Sequence, residues 1–195
     1  MRKYIVLLLI TGTVWAQTGL DKLVLKDRVN VNNLIKYGDK YFYENEDQPF
    51  SGIVFDLSEE TGNKILEYQL VNGLLNGLYQ EWYSDGTPKS RIRYINEIIN
   101  GEMILWWHNG QKSFEANFKN GQKESLVIDW YQNGNVRSEV MYKNGMKNGL
   151  FRQWYEDGTI NAEGIFKNGL EHGLFTMWYD NKIKQSEVNY KNGLE

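Results

Sequence analysis

The chain reads as all-β: tandem antiparallel β-hairpin repeats of 24 residues, forming an elongated twisted meander sheet or an open half-barrel. Three sets of residues in one register predict this. Asn-Gly pairs recur at Gly73, Gly121, Gly145, Gly169 and Gly193, in steps of 24 after a first gap of 48. The absent member is Asn96-Glu97. A Trp followed by a second aromatic recurs at Trp82, Trp106, Trp130, Trp154 and Trp178. Two more glycine columns share the period: Gly62, Gly86, Gly110, Gly134 and Gly158, with Lys182 departing, and Gly77, Gly101, Gly149 and Gly173, with Ser125 departing. Asn-Gly and Asp-Gly tolerate positive φ and so mark hairpin turns. Two strands and two turns fill such a unit, which leaves no room for a helix.

Residues 1–16 predict a cleaved export signal. Arg2 and Lys3 precede an apolar run over residues 4–10, too short to span a bilayer as a helix. Val14-Trp15-Ala16 supplies the cleavage site, so the mature chain starts near Gln17. With no Cys after the run there is no lipid attachment point, and a soluble periplasmic, cell-surface or secreted protein is expected. Cleavage removes two positive charges and no acid, taking the formal net charge from −3 to −5. That argues against nucleic acid as a partner. It also gives no electrostatic drive toward an anionic bilayer, so membrane contact is not implied by charge. Without Cys, packing alone must hold an exported fold.

Residues 17–50 break the repeat and read as an N-terminal cap, with strands, or a short helix plus a strand, near residues 24–31 and 40–43. Terminal units of repeat arrays need altered faces. Residues 51–195 then hold about six units. In the fifth, residues 150–155 form the first strand, residues 160–167 the second, and Glu156-Asp157-Gly158-Thr159 turns between them. No cap is visible after the sixth unit, so the expectation is either a reading frame cut short or a strand edge that pairs with something.

Alternation gives each second strand two faces. One carries Ser138, Val140 and Tyr142, repeated as Ala162, Gly164 and Phe166, and is expected to be buried. The other carries Glu139, Met141 and Lys143, and is expected to be wet. First strands place large apolar groups on both sides. Aromatics of successive units should meet in a spine along the sheet. The wet face holds a candidate interaction stripe, Glu67, Glu115, Glu139, Glu163 and Glu187, interrupted by Arg91. It could take a basic partner or a cation, or simply be a solvated face. Lys119, Lys143, Lys167 and Lys191 follow four residues later and offset its charge. The Trp column offers stacking platforms for sugars if exposed. Its apolar, repeat-phased character favours a core role, with Trp82 and Trp178 the most exposed.

No catalytic, metal or cofactor site is expected. His108 and His172 occupy different phases of the repeat and read as solvated turn residues. Without Cys, a zinc site would need both. No Ser has a partnered His, and no glycine run cradles phosphate.

The segment NGMKNGLFRQWYEDGTINAEGIFKNGLEHG resembles the bacterial MORN-variant repeat of YwqK-type proteins, often labelled antitoxin components. The lead-in KYFYENEDQPFSG is similar to what precedes those repeats. The resemblance covers residues 50–195 and implies a β-hairpin repeat fold. It also implies a toxin-neutralising partner, at odds with an export signal. Glu97, Ser125 and Lys182 put the turn geometry of their units in doubt. The expected function is an exported, non-enzymatic scaffold or binding module for a protein partner. The alternatives are an antitoxin-like inhibitor of a toxin or effector, and a cell-wall or glycan-binding module acting through the Trp column.

Overall fold

The computed structural model describes residues 27–194; the expected export signal lies outside them. Strand β1 (Arg28–Asn30) leads through a 3-10 turn (Val31–Asn33) into the hairpin β2 (Leu34–Tyr37) and β3 (Lys40–Tyr43). The meander follows as β4 (Gly52–Leu57), β5 (Lys64–Val71), β6 (Leu74–Trp82), β7 (Pro88–Ile95), β8 (Ile98–Trp106) and β9 (Lys112–Lys119). It continues as β10 (Gln122–Trp130), β11 (Val136–Lys143), β12 (Met146–Trp154), β13 (Ile160–Lys167), β14 (Leu170–Glu171), β15 (Gly173–Trp178) and β16 (Lys184–Tyr190). These build one 14-stranded sheet in chain order, with β1 added in parallel beside β4. Among the described residues its edges, β1 and β16, do not pair, so the sheet is open.

Two turn types alternate. At Asn144-Gly145 both residues have positive φ, 50° and 78°, in a two-residue loop whose twist matches the flanking strands. Glu97 adopts φ 68° in the place of Gly. Its carboxylate accepts the Leu75 N–H at 2.8 Å, which offsets the strain. At the other end of each hairpin the Tyr155 N–H donates to Thr159 O and the Gly158 N–H to Tyr155 O, both at 2.9 Å. There Lys182 replaces Gly at φ 66°. The third glycine column is not a turn. Gly149 (φ 125°) sits inside β12 where the register shifts between Val140 and Tyr142, so the strand starts at Met146 rather than at residue 150. Ser125 holds the same place at φ 72°. All three departures therefore keep the left-handed backbone.

Successive hairpins are tied by ladders. The Gly121, Gly145 and Gly169 N–H groups donate to Ile99, Lys123 and Lys147 oxygens at 2.8–2.9 Å. Tyr83, Tyr131 and Tyr155 hydroxyls donate to the Trp106, Trp154 and Trp178 oxygens, and the Trp107 indole N–H to Trp130 O. Such nearest-neighbour bonds make each unit depend on the next.

The packed face carries the core: Val54, Tyr68 and Leu70 at one end, then Ile92, Ala116, Val127, Val140, Ala162 and Phe166. Leu34, Tyr41 and Tyr43 of the β2–β3 hairpin pack over its first part, with Val29 and Phe50. The aromatic spine consists of Tyr and Phe, not Trp. Tyr68, Tyr79 and Tyr94 meet at 5.7 and 6.1 Å between centroids, and Phe151, Phe166, Phe175 and Tyr190 form a second cluster.

Candidate interaction faces

Pairing across the sheet decides what each face displays. Phe151 and Gln153 stand opposite Gly164 and Ala162 on the packed face, whereas Leu150 and Arg152 stand opposite Ile165 and Glu163. By alternation Trp154 belongs with Leu150 and Arg152. The Trp column therefore shares a face with the Glu column, and all five Trp are partly exposed. This corrects the expected core role: no Trp of the column is buried, although Ile104 and Thr176 on the same face are, as is Val127 on the packed face. The Lys64 ammonium lies 4.3 Å from the Trp82 ring centroid and that of Lys112 lies 5.9 Å from Trp130. Beside two of the indoles the surface dips in matching recesses. One of about 320 Å³ is lined by Gln111, Lys112, Trp130 and Gly134. The other, of about 230 Å³, uses the same places one unit on, Asn135, Val136, Trp154 and Gly158, with Glu139.

The Glu stripe, broken by Arg91 between Glu67 and Glu115, is largely neutralised. Glu67 pairs with Arg28 at 2.6 Å and Lys64 at 3.3 Å, Glu115 with Lys112 at 2.5 Å, Glu163 with Arg152 at 2.6 Å, and Glu187 with Lys184. Glu139 makes no ion pair among the described residues. Exposed pairs of this kind contribute little stability, so they set the surface pattern more than the fold.

Residues 75–96, 99–120, 123–144, 147–168 and 171–192 match the family described as MORN repeat variant. The chain belongs to this family. Each matched segment ends on the Asn of a two-residue turn, so one MORN-variant unit is one first strand plus one second strand. The β4–β5 hairpin has the same topology but lies outside the matched segments. MORN repeats are protein- or membrane-binding modules, not a catalytic type. No curated protein matches the chain.

Within the MORN-variant units, sequence reasoning missed an apolar row on the Trp–Glu face. Leu126, Leu150, Ile165 and Leu174 are 38%, 37%, 48% and 55% exposed. Met141, opposite Leu126, completes the row. Each second-strand member sits between a Glu and a Lys, a signal present in the sequence but masked by the charged columns around it.

The packed face has a cavity of about 400 Å³ lined by Asp129, Arg137, Ser138, Tyr142, Lys147 and Phe151, among others. Its polar groups are already engaged: Asp129 accepts from Arg137 at 2.9 Å and from Ser138 at 3.0 Å. The Lys147 ammonium lies 5.4 and 4.7 Å from the Phe151 and Phe166 ring centroids.

The histidines are apart and differ. His108 is exposed, with Nε2 3.3 Å from Asp85 and its ring 4.6 Å from that of Tyr83. His172 is not a solvated turn residue. It stands where earlier units carry Asn76, Asn100 and Asn148, and its buried Nδ1 has no partner among the described residues. Among the described residues no three His, Asp or Glu cluster as metal ligands.

Proposed function

We propose that this MORN-variant array is an exported, non-catalytic scaffold that binds a protein partner across its Trp–Glu face. The observation that carries this reading is the single row of five partly exposed Trp beside the Glu row and the exposed apolar row. Aromatic anchors beside paired charges are the composition of protein contact surfaces. Successive Trp are two strands apart, about 9.5 Å, so a partner meets the same chemistry repeatedly. Export rests on the pattern of residues 1–16. A toxin or secreted effector is one member of this partner class.

The test is capture from envelope extract by the mature chain, compared with a Trp106→Ala, Trp130→Ala variant and a packed-face Lys147→Gln variant. Loss of the same captured protein in the first variant alone supports the reading. Equal capture by all three sinks it. N-terminal sequencing of the secreted product should start near Gln17.

The matching recesses at Trp130 and Trp154 favour a second reading, a glycan laid along the Trp row. Retention of the mature chain on insoluble cell-wall glycan, lost in the Trp variant, would favour it over a protein.

A further inference from the structure

We infer that a second copy of this chain docks face to face on the row from Leu126 to Leu174, through a two-fold axis running along that row. The inference rests on the Trp–Glu face being a binding surface, but not on any outside partner.

Bands of residues run across β10–β15. Along β11 the order is Glu139, Met141, Lys143, and along β13 it is Glu163, Ile165, Lys167. Glu and Lys thus flank the apolar row symmetrically, two residues to either side. A two-fold rotation about the row reverses the strand direction. It lays Lys143 over Glu139 and Lys167 over Glu163 of the other copy, with apolar side chains meeting between them. The perpendicular in-plane axis would set Lys over Lys and Glu over Glu. One isologous arrangement is therefore selected by charge alone.

The charges available fit this. Lys119, Lys143 and Lys167 make no ion pair among the described residues, nor does Glu139. The row is also bounded. It ends at Asn117 on β9 and Asn189 on β16, and the corresponding places in earlier strands hold Arg93 and Glu102.

Five strands at about 4.8 Å and about seven residues at about 3.4 Å give about 600 Å² per copy. That is below the roughly 800 Å² per partner of a stable complex, so a weak, concentration-dependent dimer is expected. The Trp82 and Trp106 part of the face stays free.

The test is sedimentation equilibrium of the mature chain from micromolar to near-millimolar concentration. The expected result is a mass rising from one chain toward two. The Lys143→Glu, Lys167→Glu variant and the Glu139→Lys, Glu163→Lys variant should each stay monomeric, and an equimolar mixture should associate again. Melting temperature reports whether each variant is folded; these side chains are on the surface. A monomer at every concentration overturns the inference. So does a mixture that stays monomeric, or a dimer unmoved by both charge reversals. Binding to phosphatidylglycerol vesicles by a chain that does not dimerise makes the bilayer the occupant instead. Partner capture can fail while self-association holds, and the reverse, so the two readings fail separately.

Discussion

The Tyr131 hydroxyl donates to the main-chain oxygen of Trp154, 2.8 Å away in the next unit. Tyr155 repeats the bond to Trp178 at 2.8 Å. The second aromatic of the first four Trp-aromatic pairs is thereby a rung between hairpins, while the Trp itself stays partly exposed. Tyr131→Phe removes the donor and keeps the ring. It should cost about 1 kcal/mol in urea unfolding, with Tyr155→Phe alike. No change in either midpoint would mean the rung is replaced by water at no cost.

Ser125 holds a left-handed φ of 72° at the place where Gly149 holds 125°. A residue with a Cβ is strained there by about 1–3 kcal/mol. Ser125→Gly should raise the melting temperature, with a gain of about 1 kcal/mol after the added freedom of the unfolded chain. The converse applies at Gly145, whose φ is 78° and whose added Cβ would meet Gln122 only at ordinary contact, 3.5 Å. There Gly145→Val should cost about 1–2 kcal/mol from backbone conformation alone. A melting temperature unmoved by Gly145→Val would contradict the turn assignment.

Trp154 is partly exposed, whereas Phe166 on the packed face is 6% exposed. Phe166→Ala should therefore cost about 3–5 kcal/mol, and Trp154→Ala clearly less. Equal losses in chemical denaturation would return the Trp row to the core and remove it as a contact surface.

Burial pushes the Tyr68 phenol from its ordinary 10.0 to about 12, helped by the charge of Glu97. The folded state then holds this proton more tightly than the unfolded state. Its contribution is fully present below pH 10 and is lost as pH rises from there through about 12. Urea midpoints should be flat on this account up to pH 10 and fall beyond it. Tyr68→Phe should make that alkaline limb shallower without abolishing it, because burial also raises the Tyr79, Tyr94 and Tyr142 phenols.

Much of the fold is legible in the residues because the signals are local. Asn144-Gly145 requires a tight reversal wherever it occurs, and period-two alternation separates Val140 from Glu139 without any partner strand. The 24-residue recurrence then dictates a meander of hairpins. The sequence could not say whether Glu97, Ser125 and Lys182 keep their turns. That depends on neighbouring ladders, such as the Leu75 N–H bonded to Glu97, which over-determine the backbone. Nor could it place the Trp row. Parity within a strand is local, but the face of one strand relative to the next depends on register. Register here is set by the bulges at Gly149 and beside Trp154. Only the paired sheet decided that Trp, Glu and the apolar row from Leu126 to Leu174 share one face, because a single inserted residue shifts which side chains stand opposite.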